Sequence, residues 1–376
     1  MKAVLALEDG TLFVGRSCTG QGETGGHVIF HTDMSGYQNI LNDPAYYGQM
    51  VCLTYPLIGN CGVSLEDMHS SRLHCSALLV KECCPKPSNW QARESLPDYL
   101  SRHGVLCLED IDTRALTRHL RMHGTMRGII STADLSAEEL VAKARAVPEQ
   151  ASAPVDAVAP DSPYWWTENG PVAAPLHSGL PQWPDAPGKA RVLMYDYGTT
   201  WDTLRQLTAQ GLCVLVVPPR FPAAHALSLA PSGILLSSGP GDPTGLPDVV
   251  DTVRELCASL PVAGLGLGHE LLALALGGRT TRLKFGHHGA NHPVRNELTG
   301  KISFFSQHHD FYADISGVDA LMPTHVNLND MTLEGFQHKS RPIFSLQYQP
   351  EASPEPDDSQ HFFTRFRHML ETGRIR

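Results

Sequence analysis

The stretch that decides the fold is PVAGLGLGHELLALALGG, which runs from Pro261 to Gly278. The apolar residues before Gly266 predict a buried strand, and the apolar run from Leu271 to Leu276 predicts a helix. The glycines between them predict a sharp strand–turn–helix elbow, which holds one side chain at its tip and points a helix N-terminus at it. Here the tip is Gly266, which has no side chain that can attack a substrate.

Apolar strands alternate with helical segments throughout the C-terminal part of the chain. This pattern predicts an α/β fold with a mostly parallel sheet and flanking helices. Ligands of such sheets bind beyond the carboxyl ends of the strands. The loop at 237–243, the elbow and the turn after FSLQYQPE (344–351) each follow an apolar strand. We therefore expect these three loops to meet at one site.

Composition divides the chain into three parts. Residues 1–146 begin with strand patterns and continue with helical ones, which predicts an α+β domain. The helical segments are 90–103, 112–123 and 136–146. Residues 147–189 are rich in Pro and Ala and lack a period, which predicts a linker that is partly packed through Trp165 and Trp166. Residues 190–376 form the predicted α/β domain.

The overall composition excludes several classes of protein. Of the 376 residues, 42% are hydrophobic and 18% charged, and the formal net charge is −10. A nucleic-acid-binding surface would need clustered Lys and Arg. No apolar run approaches the roughly 20 residues of a membrane span, and Glu8 and Asp9 come too early for a signal-peptide core. We expect a soluble, cytoplasmic protein.

The cysteines and histidines give no spacing typical of a metal site. The nine cysteines include the adjacent pair Cys83 and Cys84 but no CxxC pair, so we expect reduced thiols and no zinc. His308 and His309 stand beside Asp310, which offers two ligands and a carboxylate without a third spaced ligand. We therefore expect no metal in this chain.

Motifs along nearly the whole chain resemble the small, glutamine-hydrolysing subunit of carbamoyl phosphate synthetase. The N-terminal matches are FHTDMSGYQNILNDPAYYGQMVCLTYPLIGN (30–60) and DIDTRALTRHLRMHG (110–124). The C-terminal matches are SSGPGDP (237–243), GLGLGHELLALALGG (264–278), KFGHHGANHPV (284–294), THVNLND (324–330) and FSLQYQPEASPEP (344–356). The resemblance implies a C-terminal class I glutamine amidotransferase domain and an N-terminal domain peculiar to this family.

The resemblance also implies a partner and a chemistry. A large subunit would make carbamoyl phosphate from bicarbonate, ATP and ammonia, for arginine or pyrimidine biosynthesis. ATP and Mg are expected in that subunit, and no cofactor is expected in this chain. In the family, a cysteine attacks the glutamine amide, a histidine activates the cysteine, an acidic residue orients the histidine, and backbone N–H groups stabilise the oxyanion.

Carrying the catalytic positions over residue by residue shows that two of the three are changed. The family's elbow reads Gly-Ile-Cys-Leu-Gly-His-Gln, so the nucleophile position is Gly266 and a glutamine-contacting position is Glu270. The family's Gly-His-Pro-Glu motif reads Tyr-Gln-Pro-Glu at 348–351. The base position is thus Gln349, whose amide cannot take up a proton near neutral pH. The orienting acid, Glu351, is retained.

Several substrate-contacting positions are changed as well. The family's Gln-Asn-His-Gly-Phe reads Gln-His-His-Asp-Phe at 307–311, and a serine after an Asp-Pro pair has become Tyr47. The resemblance implies a degenerate glutamine site formed by Tyr47, Gly239, Gly241, Leu267, Glu270, His308, Asp310 and Phe311. If Glu270 and Asp310 are both ionised, their charges disfavour glutamine binding.

The sequence therefore predicts a small subunit that has lost its own glutaminase activity. Its role would be that of a scaffold and regulator, with ammonia as the nitrogen source. A first alternative is a regulatory pocket, in which Glu270 and Asp310 favour an amine or an amino acid such as arginine or ornithine. A second alternative, ranked last, is a hydrolase with a relocated nucleophile at Ser238 or Cys257, neither of which has an evident base in a family motif.

Overall fold

The computed structural model describes residues 1–64, 67–149, 154–352 and 356–375. The chain divides into two compact units, of which the first comprises residues 1–152 and 284–289 and the second comprises 153–283 and 290–376. Among the described residues, no helix combines the length and the apolarity that crossing a membrane requires.

The first unit is built mainly from short strands. These are β1 (Lys2–Leu7), β2 (Leu12–Ser17), β3 (Glu23–His31), β4 (Gln49–Leu53), β5 (Leu57–Ile58), β6 (Ala77–Leu79), β7 (Glu82–Cys83), β8 (Leu106–Glu109) and β9 (Met126–Ser131). A closed barrel forms from them in the order β1-β2-β8-β6-β4-β3-β9. Leu5, Leu79 and Ile130 belong to one apolar cluster of this barrel and are almost fully buried. A closed barrel leaves no unpaired strand edge, which stabilises short strands such as these.

Of the four helices described in the first unit, three fall within segments predicted as helical, but residues 90–95 of the segment 90–103 are not helical and the first helix was not predicted. The four helices are α1 (Tyr37–Asn42), α2 (Leu96–Arg102), α3 (Thr113–His123) and α4 (Ala137–Ala146). A capping box starts α4, because the Ser136 hydroxyl accepts from the Glu139 N–H at 3.2 Å and Glu139 Oε2 accepts from the Ser136 N–H at 2.8 Å. The α+β class predicted for this part of the chain is confirmed.

The second unit contains the long sheet and most of the helices. Its helices are α5 (Pro154–Val158), α6 (Trp201–Ala209), α7 (Ala223–Ser228), α8 (Pro247–Cys257), α9 (Leu267–Ala275) and α10 (Pro356–Thr372). Its first strands are β10 (Tyr164–Thr167), β11 (Gly170–Ala173), β12 (Leu176–His177), β13 (Leu180–Pro181), β14 (Arg191–Tyr195), β15 (Cys213–Val217), β16 (Gly233–Leu236) and β17 (Val262–Leu265). The remaining strands are β18 (Arg279–Asn296), β19 (Ile302–Asp314), β20 (Leu321–Asn327), β21 (Leu333–His338) and β22 (Ile343–Leu346). Residues 284–289 in the middle of β18 belong to the first unit.

The central part of the sheet is parallel, which confirms the α/β class. The order is β11-β10-β15-β14-β16-β17-β22-β21-β20-β18-β19, and the neighbours from β15 to β22 run in parallel. Antiparallel strands extend this centre on both sides. Along β14, Leu193 and Tyr195 join one apolar cluster, whereas Val192 and Met194 join another. The central strands are therefore covered on both faces, as their continuous apolar sequences require.

Part of the segment predicted as a linker is ordered strand of the second unit. Strand β10 pairs with β15, with Trp165 opposite Leu215. Trp166 is buried in an apolar cluster, and the Trp165 indole N–H donates to Gln182 O at 2.7 Å. The lack of a sequence period hid these strands because each is at most four residues long.

Candidate active site

The predicted elbow is present between β17 and α9, with Gly266 at its tip. Gly266 has φ 52° and ψ −116°, a conformation that glycine adopts with far less strain than other residues. Its N–H donates to Leu346 O at 3.0 Å, and its carbonyl accepts from the N–H groups of His269 and Glu270 at 3.0 and 3.2 Å. The tip is thus held by hydrogen bonds to a neighbouring strand and to the first turn of α9.

Little room is left for a side chain at the tip. A Cβ placed on Gly266 would lie 3.0 Å from the Cβ of Ser238 and 3.3 Å from its Cα. Such a contact requires the neighbouring loop to shift by a few tenths of an ångström. Glycine at this position therefore removes both the backbone strain and the contact with Ser238.

The three loops expected to meet do follow adjacent strands. Leu236 pairs with Gly264 between β16 and β17, and Leu265 pairs with Leu346 between β17 and β22. The Gly268 N–H donates to Ser237 O at 2.9 Å, which ties the elbow to the Gly-rich loop. The predicted convergence of the loops at the carboxyl edge of the parallel strands is confirmed.

Gly268 is required by this close approach, which gives a test of the elbow packing. An added Cβ would lie 2.3 Å from Leu236 O, a backbone atom that cannot move away alone. We expect Gly268→Ala to lower the free energy of unfolding by about 2–3 kcal/mol through overpacking, measured by urea denaturation. Gly245→Ala is the matched control, since a Cβ there meets nothing within 4 Å. Equal effects of the two substitutions would contradict this packing.

The Gly-rich loop keeps its shape through two glycines. A Cβ on Gly239 would lie 2.3 Å from Tyr197 O, and Gly241 has φ +102° with Pro154 Cγ 2.5 Å from the position of its absent Cβ. Asp242 Oδ1 accepts from the Thr244 N–H at 2.8 Å and caps the short turn Pro243–Gly245.

Glu351 is a buried carboxyl held by two threonines at the start of α6. Its Oε1 accepts from Thr203 Oγ1 at 2.7 Å and from Thr200 Oγ1 at 3.2 Å. Burial raises the pKa of Glu351 above its usual value. The two hydroxyls donate only to Oε1, and Oε2 is buried without a hydrogen-bond partner among the described residues. The threonines were missed in the sequence, although their i, i+3 spacing at a helix start places them on one face.

The two hydrogen bonds of Glu351 differ in length, so we expect the removal of each to lower stability by a different amount. We expect Thr203→Val to lower the free energy of unfolding by about 1–2 kcal/mol, because a buried carboxyl loses its shorter hydrogen bond. Thr200→Val removes the longer bond and should cost less. Thermal and urea denaturation would measure both, and a larger loss for Thr200→Val would contradict the geometry.

Gln349 occupies the base position with its backbone tied to β19. Its N–H donates to Ser306 O at 3.1 Å, and the residue is buried. The amide side chain has no basic nitrogen at neutral pH. The retained acid and the position of the missing base therefore stand two residues apart on the turn after β22.

Glu270 lies in the first turn of α9, where it is 3% exposed. Gln347 Nε2 donates to its Oε1 at 3.0 Å. Burial raises the pKa of Glu270 to about 8, and the nearby charges of Asp310 and Asp242 add to this rise. Near pH 7 the carboxyl is largely protonated, so the premise that Glu270 and Asp310 are both ionised does not hold. A protonated Glu resembles the Gln it replaces in shape and in hydrogen bonding.

The segment 307–311 lies in β19, where side chains alternate between two faces. His309 is held within its own strand, with Nδ1 at 2.6 Å from Phe311 O and Nε2 at 2.5 Å from Gln307 Oε1. His308 and Asp310 share the opposite face. The charge of Asp310 raises the pKa of Glu270, so the second unit places these two positions near each other.

Tyr47 belongs to the first unit, whereas the other carried-over positions belong to the second. Its N–H donates to Pro44 O at 3.0 Å and closes the short turn Pro44–Tyr46. His288 also lies in the first unit, with its ring 5.8 Å from that of Tyr46 and its carbonyl accepting from the Thr32 N–H. These contacts are structural.

The two relocated nucleophiles considered in the sequence differ in their surroundings. Cys257 ends α8 and is 3% exposed, and burial raises the pKa of its thiol to about 12. Such a thiol stays protonated and unreactive. Ser238, by contrast, is in contact range of the elbow tip. His269, in the first turn of α9, cannot serve as a base for Ser238. Its Nδ1 lies 2.8 Å from Ser345 Oγ, and burial lowers the pKa of its imidazole to about 3.

A parallel α/β sheet with an elbow, a Gly-rich loop and a Gln-Pro-Glu turn at one edge defines the class I glutamine amidotransferase fold. Residues 193–369 match the family described as Glutamine amidotransferase class-I. Residues 5–130 match the family described as Carbamoyl-phosphate synthase small chain, CPSase domain. The two matches fall in the second and first unit respectively.

Curated relatives cover the whole length of the chain. A carbamoyl phosphate synthase small chain from Nitratidesulfovibrio vulgaris is 54% identical over 372 residues. The alignment covers 98% of this chain and 98% of that protein. Its counterpart from Solidesulfovibrio magneticus is 50% identical, with 100% of both chains covered. Among solved structures, a glutamine amidotransferase from Thermotoga maritima is 16% identical, with 48% of this chain and 84% of that chain covered and a TM-score of 0.36.

The chain belongs to the carbamoyl phosphate synthase small chain family. The resemblance found in the sequence is thereby confirmed for both units. Membership of this family implies a large-subunit partner.

Proposed function

We propose that this chain is a small subunit without glutaminase activity, which supports carbamoyl phosphate synthesis from free ammonia by a large subunit. The observation that carries the proposal is Gly266 at the elbow tip. The position has no nucleophile, and a Cβ there would lie 3.0 Å from Ser238 Cβ. The proposal includes a heterodimer with the large subunit, where ATP and Mg would bind, and no cofactor in this chain.

The chemistry of amide hydrolysis supports the proposal. Attack on glutamine requires a nucleophile, and release of ammonia requires a group that donates a proton. Gly266 and Gln349 supply neither. Glu351 remains, with its Oε1 bonded by Thr200 and Thr203, but with Gln349 at the base position it has no histidine to orient. The second unit would then serve as a scaffold and a regulatory partner.

The proposal also places the protein in the cytoplasm, where the product would enter arginine or pyrimidine synthesis. All nine cysteines are unpaired, as is usual in a reducing compartment.

The decisive experiment compares nitrogen sources in the complex with the large subunit. We expect synthesis with ammonium chloride and no synthesis above background with glutamine. A small chain that keeps the elbow cysteine, such as a curated relative with that residue, serves as the positive control in the same assay. Glutamine-dependent turnover comparable to the ammonia rate would overturn the proposal.

A second candidate function is favoured by the carboxyl groups around Glu270. Asp310 and Asp242 both raise the pKa of Glu270 through their charges, so a bound cation there would be stabilised by these two carboxylates and would favour ionisation of Glu270. An amine or an amino acid such as arginine or ornithine is the corresponding ligand class, and it would regulate the partner. A thermal-shift screen of amines tests this, with Asp310→Asn as the control; no shift with any amine would overturn it.

A further inference from the structure

Three cysteines that are far apart in the sequence meet in the first unit. Cys18 directly follows β2, Cys83 ends β7, and Cys107 lies in β8. Their sulfur atoms all lie within 4.8 Å of one another. Cys83 and Cys107 are buried and Cys18 is half-buried. Neither the glutamine chemistry nor the family resemblance uses these thiols.

The backbone around the three thiols is fixed by hydrogen bonds. The Cys18 N–H donates to Cys107 O at 3.1 Å, and the Cys107 N–H donates to Thr19 Oγ1 at 2.9 Å. The Cys83 N–H donates to Glu109 Oε2 at 3.3 Å. Because each thiol is carried by the barrel or by a strand tied to it, the three sulfur positions are set before any ligand arrives.

The cluster can be reached from outside through a cleft of ≈ 610 Å³. Cys18, Cys83 and Glu109 line this cleft, together with Arg16 and Lys81. Glu109 is only partly exposed and pairs with Arg16 at 3.4 Å. The cleft therefore leaves an entry path for an ion at Cys18 and Cys83, and it places the Glu109 carboxylate beside Cys83.

The spacing of the three sulfur atoms suits a soft metal cation. Zinc binds thiolate sulfur at about 2.3 Å, which puts two sulfurs of a tetrahedral site about 3.8 Å apart. Small rotations about the Cα–Cβ bonds bring sulfurs within 4.8 Å to that separation. Three thiolates leave the fourth position of a four-coordinate set to a water from the cleft. A disulfide, by comparison, would use two of the sulfurs and leave the third unpaired.

We propose that Cys18, Cys83 and Cys107 form a binding site for a divalent cation of the zinc class, with a water from the cleft as the fourth ligand. Binding converts three thiols to thiolates and releases their three protons to solvent. The ion crosslinks β2, β7 and β8, so it stabilises the first unit. The site is independent of the proposed loss of glutaminase activity.

The first test is a titration of the reduced, metal-free, full-length chain with Co²⁺. We expect one ion per chain with a thiolate-to-cobalt charge-transfer band, and displacement of the cobalt by Zn²⁺. Cys18→Ser and Cys83→Ser should weaken binding by more than about 100-fold, because even the loss of an outer-shell partner costs about 10–100-fold. The matched controls are Cys52→Ser and Cys75→Ser, which change buried cysteines of the same unit outside the cluster.

A second measurement needs no variant and so does not depend on folding of the substituted chains. Zn²⁺ should slow alkylation of Cys18 by at least about tenfold, whereas the exposed Cys61 should react equally with and without zinc. Peptide mass spectrometry measures both rates. The proposal is overturned if the fully reduced chain shows no charge-transfer band, if Cys18→Ser leaves the band intact, or if the cluster only forms a disulfide in air.

Discussion

Glutamine hydrolysis is expected to appear when Gly266 is replaced by cysteine and Gln349 by histidine in the same chain. The two substitutions return a nucleophile to the elbow tip and a base to the turn after β22, where Glu351 already stands. Loss of a catalytic pair costs up to about 10⁶-fold in rate, so even an imperfect pair should raise the rate at least about 100-fold above the native chain.

The gain should be partial for a steric reason. A Cβ at position 266 lies 3.0 Å from Ser238 Cβ, so the thiol will sit slightly displaced from a productive position. A displacement of this kind lowers the benefit of proximity. Replacing Glu270 by glutamine as well should improve the KM for glutamine more than the kcat, because this position was carried over as a binding position.

The matched control for this variant is Gly266→Ala with Gln349→His. It carries the same Cβ, the same backbone strain and the same base, but no thiol. Ammonia release from glutamine, measured for the chain with its large subunit, should stay at background in the control. A native chain that already releases ammonia as fast as the double variant would show that the reaction had not been lost.

The sequence predicts most of the fold because its signals are local. The apolar run before Gly266 and the helix after it lie within eighteen consecutive residues, and the capping pair Ser136 and Glu139 within four. Periodicity and capping act over such distances. The α/β class, the elbow and the convergence of the loops could therefore be read from the sequence.

Features that depend on contacts between distant residues could not be predicted in this way. Cys18, Cys83 and Cys107 meet only because β2 pairs with β8 and the Cys83 N–H bonds to Glu109 of β8, so no metal-ligand spacing exists along the chain. The sequence expectation of no zinc rested on that missing spacing. The partners of Glu351 were hidden in the same way, since Thr203 lies 148 positions earlier in the chain.

The protonation state of Glu270 is another property that depends on burial in the folded chain. Its identity alone suggests a negative charge, but a residue 3% exposed with two other carboxylates nearby holds its proton at neutral pH. The substitution of Gln by Glu in the elbow helix therefore changes the charge of the site much less than the sequence implies.

This buried carboxyl should make the stability of the second unit fall as the pH rises. The pKa of Glu270 is raised from 4.5 to about 8 in the folded chain. Below pH 4.5 both the folded and the unfolded chain hold the proton, and between pH 4.5 and 8 only the folded chain holds it. The unfolded chain thus binds fewer protons in this window, so the free energy of unfolding decreases by about 1.4 kcal/mol per pH unit.

Glu270→Gln is expected to remove this pH dependence. The substituted amide has no proton to lose, and its oxygen can still accept from Gln347 Nε2 as Glu270 Oε1 does at 3.0 Å. The variant should exceed the native chain in unfolding free energy by about 3 kcal/mol at pH 7 and by on the order of 4–5 kcal/mol above pH 8. Urea denaturation at several pH values would measure the difference, with Glu168→Gln as the control because it removes a carboxyl from an exposed turn. A difference between Glu270→Gln and the native chain that stays constant from pH 5 to pH 9 would mean that Glu270 is ionised throughout.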